Sequence, residues 1–266
     1  LSAWHLHHAK ERKVSESRDA MKGAYLGPEF TDTQIEKELL ASGGKYHKLS
    51  EKDLIEKTAI ALASEKAVGW MQGRMEFGPR ALGGRSVIAD PRSPKMQKQL
   101  NLKVKYRESF RPFAPSVLKE HIGEWFELDH DSPYMLIVAN VQKDKRLKMT
   151  KEEKSLFGIE KLNVPRSSIP AITHVDYSAR IQTVHSDTNP KYHAVISKFY
   201  EKTGYPLVVN TSFNVRGEPI ICSPTDAFKC FMGTELDVLA VGNYLLFKEE
   251  QDKDLKEDYK ERYELD

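Results

Sequence analysis

The sequence has little cysteine and no long apolar run. Among 266 residues the only cysteines are Cys222 and Cys230, too few for a disulfide framework and at a spacing that fits no zinc-binding motif. We therefore expect two buried thiols and a cytoplasmic protein. No apolar stretch approaches the ~20 residues that cross a bilayer, and residues 1–13 lack the pattern of a signal peptide. A membrane partner is not expected.

Charge of one sign is not in excess either. The chain has 41 Lys and Arg against 39 Asp and Glu, a formal net charge of +2. The basic residues are concentrated, however: eight lie between Arg92 and Lys119, where Glu108 is the single acid. A nucleic-acid-binding module would need a basic stripe and would bind with a steep salt dependence. Nucleic acid is therefore a disfavoured partner, and an RNA-binding module stays as an alternative.

Two common nucleotide-binding motifs are also missing. The chain contains neither the G-x-x-x-x-G-K-[ST] of a P-loop nor the G-x-G-x-x-G of a dinucleotide-binding fold. His5, His7 and His8 do not share one face of a helix, so we predict no metal site in this chain. Any nucleotide or anion site must therefore be built from other residues.

What is present is an irregular alternation of helix and strand patterns. Helical apolar spacing predicts helices at 53–66, 93–105, 119–128, 190–204 and 224–233. Apolar and β-branched runs predict strands at 67–72, 111–118, 134–141, 172–176, 179–184, 206–213 and 237–247. Thr31 with Gln34 has the form of a helix capping box, Gly204 is expected to end a helix, and 143–168 is expected to be a surface excursion.

These patterns predict an α/β fold in which helices pack on a mixed sheet. We divide the chain into a mostly helical leading segment (1–50), a compact domain (51–250) and a charged tail (251–266). The irregular order of the elements leaves the strand order open.

Residues 76–92, EFGPRALGGRSVIADPR, combine glycine with arginine. The three glycines permit close approaches of the backbone that a Cβ atom would prevent. Arg80 and Arg85, with Arg74 just before, supply planar guanidinium groups suited to phosphate or carboxylate. The segment is either an anion-binding loop or a tight turn with solvated arginines.

Two further segments contain candidate binding residues. KYRESFRPFAPSVL places Lys105 and Arg111 around aromatic residues, as in an anion site or in a basic face over a core. VVNTSFNVRGEPI places Asn210 and Ser212 on one face of a predicted strand and Thr211 on the other. Small polar residues at the end of a strand line a ligand crevice or form a turn.

Taken together, FGPRALGGRS, KYRESFRPFAPSV, ARIQTV and NTSFNVRGEPI closely resemble the C-terminal half of the NodU/CmcH/TobZ family of O-carbamoyltransferases. The resemblance covers about residues 20–248. It implies a YrdC-like domain that binds ATP, with Mg²⁺ on the nucleotide, and carbamoyl phosphate, and that forms carbamoyl adenylate. It also implies a preceding half, absent from these 266 residues, of the actin-like ATPase/sugar kinase type. That half would hold iron or another metal and pass the carbamoyl group to an acceptor hydroxyl.

The resemblance also implies the site residues. The phosphate- and carbamoyl-binding basic residues would be Arg80, Lys105, Arg111 and Arg180. The polar residues around the adenylate would be Asn210 and Ser212, with Thr234 as a weaker match. In this interpretation the glycines of 76–92 let backbone amides and Arg80 approach a polyphosphate. A synthase that makes threonylcarbamoyl adenylate is the remaining enzymatic alternative.

Overall fold

The computed structural model describes residue 19, residues 21–256 and residue 259. The beginning of the predicted leading segment, with the three N-terminal histidines, and most of the charged tail lie outside the described residues. The α-helices run, in chain order, over Asp32–Ala41 (α1), Glu51–Ala63 (α2), Met96–Lys103 (α3), Ile122–Trp125 (α4), Lys151–Ser155 (α5), Gly158–Leu162 (α6), Pro190–Thr203 (α7) and Pro224–Gly233 (α8). The strands are His47–Lys48 (β1), Val68–Met71 (β2), Arg85–Ala89 (β3), Ala114–Leu118 (β4), Ile137–Asn140 (β5), Ser178–Val184 (β6), Leu207–Ser212 (β7), Val238–Val241 (β8) and Tyr244–Phe247 (β9).

These nine strands form one mixed sheet in the order β1-β9-β8-β2-β3-β7-β4-β6-β5. β2 pairs with β8, and β4 with β6, in parallel, whereas the other neighbours are antiparallel. The predicted α/β fold with a mixed sheet is therefore confirmed. No helix among the described residues has the length and apolar character needed to cross a membrane.

The sheet carries apolar clusters on both faces. Val87 of β3 belongs to one cluster and the next residue, Ile88, to the other, as the alternation of side chains along a strand requires. Helices α2 and α7 pack together on the Ile88 face, and Phe228 of α8 lies in the cluster on the Val87 face. Because both faces are covered, every residue of the central strands β2, β3 and β4 is buried, rather than every second one.

The caps and stops predicted from local signals are confirmed. Thr31 and Gln34 form the capping box of α1, and Gly204 ends α7 in the left-handed conformation, with φ +77°. The predicted strand 237–247 is two strands, because Gly242 turns the chain at φ +52° and β8 pairs with β9. The division at residue 50 stays a prediction, although β1 pairs with β9 in the same sheet.

Two predictions about strands were wrong. Residues 172–176 do not form a strand: the Thr173 hydroxyl donates to the carbonyl oxygen of Ile169 at 2.9 Å, and such local side-chain bonds compete with a sheet ladder. The segment Arg85–Ala89, interpreted from sequence as part of an arginine-rich loop, is a fully buried central strand. Its pairing with β2 and β7 could not be recognised from the local pattern.

Candidate anion-binding site

A small pocket of about 160 Å³ lies where β7 ends, beside the start of β4 and the loop at 79–81. Antiparallel pairing places Asn210 of β7 opposite Ala114 of β4, and β6 follows β4 in the sheet. The pocket is lined by Pro79, Arg80, Ala81, Arg107, Pro112, Phe113, Ala114, Met135, Arg180, Asn210, Thr211 and Ser212. The sheet order thus joins three segments that are far apart in sequence.

Two predicted arginines, Arg80 and Arg180, lie together in this pocket. The Nε atom of each is buried and has no hydrogen-bond partner among the described residues. Burial, and then the positive charge of Arg80, lower the pKa of Arg180. Two guanidinium groups that repel each other and have unpaired donors are suited to binding an anion.

Asn210 is a predicted polar residue whose side chain is buried and held by two hydrogen bonds. It is 1% exposed, and its Nδ2 atom donates to the carbonyl oxygen of Ala81 at 3.0 Å and to Oε1 of Gln182 at 2.9 Å. Its Oδ1 atom is buried and without a partner in the described structure. A buried unpaired acceptor costs free energy, so this oxygen is a candidate contact for a ligand.

Arg107 is a pocket residue that the sequence analysis missed. Its Nε atom donates to Oδ1 of the buried Asn101 at 2.7 Å, and its guanidinium lies 5.1 Å from the ring centre of Phe113. Burial, followed by the nearby charge of Arg111, lowers the pKa of Arg107 to about 10. Its neighbour Glu108 pairs with Arg111 instead, at 2.9 Å. The KYR spacing, which puts Arg107 beside the predicted Lys105, was the available signal.

Lys105 and Arg111 are near the site but do not line the pocket. Lys105 is buried, and its Nζ atom donates to the backbone oxygen of Ser212 and to Oδ1 of Asn214 at 2.8 Å. Burial lowers the pKa of Lys105 to about 7. Through these hydrogen bonds Lys105 fixes the end of β7, including Ser212, without lining the pocket itself. Arg111 is half-exposed at the surface.

Thr234 lies elsewhere. It follows α8, is 2% exposed, and donates its hydroxyl to the carbonyl oxygen of Cys230 at 2.7 Å. It lines a separate cavity together with Lys103, Lys248 and other residues. The structure therefore brings together Arg80, Arg180, Asn210 and Ser212, adds Arg107, and leaves Thr234 outside the group.

The glycine-rich loop does not offer its amides in the way the sequence suggested. One oxygen of Glu76, Oε1, accepts hydrogen bonds from the backbone amides of Leu82 (2.6 Å), Gly84 (2.6 Å) and Arg85 (3.2 Å), and the amide of Gly83 donates to Ser86. These four donors are thus used within the protein. For these four amides the interpretation that they cradle a polyphosphate is wrong, and Arg80 stays the candidate anion-binding group of this loop.

Gly83 is required by packing. It has φ +104°, and a Cβ atom here would lie 2.2 Å from the ring of Tyr192. Arg85 is also structural, because it is fully buried and donates to backbone carbonyls, among them those of Gln72 and Cys222. Burial lowers its pKa. The sequence could not distinguish this internal arginine from one that binds a ligand.

The chemistry of the pocket follows from its donors. Three guanidinium groups line it, and no described lining side chain carries a carboxylate. Guanidinium groups stay protonated and provide only donors, so the pocket is suited to stabilising negative charge, and no carboxylate, imidazole or amine among its described lining side chains can act as a general base. A small oxyanion such as a phosphate or carbamate fits this donor set.

Comparison with known proteins gives the family. The family described as "Carbamoyltransferase C-terminus" matches residues 59–248. An uncharacterized protein of Synechocystis sp., sll1178, is 56% identical over 269 residues, which cover 100% of this chain and 44% of that protein. Nodulation protein NolNO of Sinorhizobium fredii is 42% identical over 244 residues, 90% of this chain and 33% of that protein.

A relative with a named activity is 3'-hydroxymethylcephem-O-carbamoyltransferase of Streptomyces clavuligerus. It is 36% identical over 183 residues, which cover 69% of this chain and 31% of that protein. The chain thus spans less than half the length of these three relatives. The match over residues 59–248 includes every lining residue of the arginine pocket. This chain belongs to the carbamoyltransferase C-terminus family.

Proposed function

We propose that this chain binds carbamoyl phosphate and ATP and forms carbamoyl adenylate, which a further domain transfers to an acceptor hydroxyl. The observation that carries the proposal is the meeting of Arg80, Arg107 and Arg180 in one small pocket whose described lining side chains include no carboxylate. Membership of the carbamoyltransferase C-terminus family supports the carbamoyl-transfer part.

The proposed reaction has two steps. Water first cleaves carbamoyl phosphate to carbamate and inorganic phosphate. A carbamate oxygen then attacks the α-phosphorus of ATP, so that a new P–O bond forms while pyrophosphate leaves. Negative charge spreads over several oxygens in both steps, and fixed guanidinium groups that are already in position stabilise such charge. The arginines therefore act by binding and electrostatics, not as acids or bases.

The size of the pocket limits what it can hold. About 160 Å³ accommodates a small anion but not a whole nucleotide, so the adenosine of ATP would lie outside and only a phosphate group would share the arginines. Without a lining carboxylate among the described residues, Mg²⁺ would be held by the phosphates of ATP. When bound, it would neutralise phosphate charge.

Binding of the acceptor is proposed for the part of the relatives that this chain does not span. The Streptomyces clavuligerus relative is named for an O-carbamoyl transfer to a hydroxymethyl compound, and this chain matches 31% of its length. We therefore propose that acceptor recognition belongs to a further domain, as the sequence resemblance also implies.

The test supplies the chain with α-labelled ATP, Mg²⁺ and carbamoyl phosphate and measures pyrophosphate release and labelled adenylate. We expect release that depends on carbamoyl phosphate and is lost in Arg180→Met, which removes a pocket charge but retains an unbranched apolar chain. Replacing carbamoyl phosphate by threonine plus bicarbonate tests the alternative synthase. Turnover with that pair alone, or binding to RNA that is tight and steeply salt-dependent without any turnover, would contradict the proposal.

A further inference from the structure

The orientation of the Asn210 amide is set by its neighbours. Its Nδ2 atom donates to two acceptors, the backbone oxygen of Ala81 and Oε1 of Gln182. A flipped amide would place an oxygen against both of these oxygens. The flip would thus exchange two hydrogen bonds for two repulsive contacts.

Gln182 is itself held in one orientation. It is 2% exposed. Its Nε2 atom donates to the carbonyl oxygen of Leu82 at 2.7 Å, and its Oε1 atom accepts from the hydroxyl of Ser116 at 2.6 Å as well as from Asn210. Because Gln182 must donate on one side and accept on the other, it presents an acceptor to Asn210. A chain of buried hydrogen bonds thus runs from Leu82 through Gln182 to Asn210.

The result is an acceptor in a pocket of donors. The pocket is lined by three arginines, and Asn210 Oδ1 is the one amide or carboxylate oxygen among its described lining side chains. This oxygen is buried and unpaired in the described structure. A ligand that satisfies every group must carry several anionic oxygens and one hydrogen-bond donor.

We propose that Gln182 is a positioning residue that fixes Asn210 so that its Oδ1 atom accepts a hydrogen bond from the amide group of carbamoyl phosphate. This inference rests on the proposed function, and it explains how the site selects its substrate. Acetyl phosphate has the same phosphate group but carries a methyl group where carbamoyl phosphate carries NH₂. It therefore leaves Asn210 Oδ1 buried against carbon.

An unpaired buried acceptor costs enough free energy to weaken binding roughly 5- to 150-fold. A site built to bond an N–H group of its substrate discriminates strongly against an analogue that lacks it. We therefore expect the wild-type chain to bind carbamoyl phosphate at least about fivefold more tightly than acetyl phosphate. Inorganic phosphate reports on the arginines alone.

The experiment measures, by calorimetry, the dissociation constants of carbamoyl phosphate, acetyl phosphate and inorganic phosphate for the wild type, Gln182→Leu and Asn210→Ala. In both variants we expect the carbamoyl-to-acetyl preference to fall to within about threefold of unity, and in Gln182→Leu we expect phosphate binding to stay within about threefold of the wild-type value. In Gln182→Leu the carbonyl oxygen of Leu82 still accepts a hydrogen bond from the Tyr25 hydroxyl, at 2.6 Å. This bond helps the variant to keep the conformation of the loop at Leu82. Gln142→Leu is the matched control, because Gln142 also donates to backbone carbonyls but lies outside the pocket.

The outcomes separate the two proposals. If the wild type binds acetyl phosphate as tightly as carbamoyl phosphate, the inference about Asn210 and Gln182 is overturned while the proposed function stands. It is also overturned if Gln182→Leu loses phosphate binding as much as carbamoyl phosphate binding, since the role of Gln182 would then be to support the pocket in general. If the wild type binds neither carbamoyl phosphate nor phosphate, the proposed function itself fails.

Discussion

Arg107 offers a sharp test of the site because its charge can be removed without a large change in side-chain volume. In Arg107→Met the apolar stem that lies near Phe113 is largely retained, whereas the guanidinium and its bond to Asn101 are lost. The pocket keeps Arg80 and Arg180. The substitution therefore removes one of three cations from the pocket.

The magnitude follows from the contacts. A charge-assisted hydrogen bond is worth about 1.5–3 kcal/mol, and each 1.4 kcal/mol corresponds to a tenfold change in affinity. We therefore expect the dissociation constant of carbamoyl phosphate to rise roughly 10- to 100-fold in Arg107→Met. The lost contact with Phe113 is worth about 0.5–1 kcal/mol at a partly exposed site, and the buried Oδ1 atom of Asn101 loses its partner, which costs about 1–3 kcal/mol. We therefore expect the free energy of unfolding to fall by about 1.5–4 kcal/mol.

The assay pairs calorimetric binding of carbamoyl phosphate with urea unfolding. Arg146→Met is the matched control: Arg146 lies 5.1 Å from the ring centre of Tyr177 and donates from Nε to the carbonyl oxygen of Val141, but it does not line the pocket. We expect normal binding in this control. Binding by Arg107→Met within twofold of the wild type, with a normal fold, would refute the role of Arg107.

Two further predictions concern stability. Gly83→Ala should lower the free energy of unfolding by about 2–6 kcal/mol, because the new Cβ atom clashes with Tyr192 and the backbone has a positive φ. Gly73→Ala is the control: φ is +53° there but no atom lies within 4 Å, so it should cost only about 1–3 kcal/mol in the same urea titration. Equal losses in the two variants would show that packing against Tyr192 is not the cause. Lys105 has a pKa of about 7 in the folded protein against an ordinary value of 10.5. Between about pH 7 and pH 10.5 the unfolded chain therefore binds more protons than the folded one. The free energy of unfolding should rise with pH in this range, by up to about 1.4 kcal/mol per pH unit. Lys105→Met should reduce this slope between pH 7 and 10, where Lys248, whose pKa burial lowers to about 8, still contributes; an unchanged slope would contradict the contribution of Lys105.

Local signals were sufficient where the physics is local. The capping box at Thr31 depends on residues three apart, and the end of α7 depends on the conformational freedom of Gly204. Buried strands such as β2 and β7 were predicted because short, uninterrupted apolar runs are typical of strands that are buried on both faces. The longer motifs allowed a resemblance to a family, which the match over residues 59–248 confirms.

The local pattern failed where a residue is defined by partners distant in sequence. Arg80 and Arg85 look alike in a glycine-rich segment, yet one lines the pocket and the other is enclosed by carbonyl oxygens within the sheet. Glu76 was not singled out at all, although its carboxylate collects three amides of the loop. Neither role can be read from residue type, because each depends on which backbone groups the fold leaves unpaired.

The amino-acid sequence alone was enough to establish the α/β class, most of the elements and the family, since these depend on periodicity, caps and long motifs. The make-up of the pocket was decided by the order of strands in the sheet. That order places β7 between β3 and β4, and so brings Asn210 to Ala81 and to Gln182, which are 129 and 28 residues away in sequence. It also separates Thr234 from the arginines and adds Arg107 to them. A binding site depends on distances between side chains in space, and the spacing of residues along the chain does not give those distances.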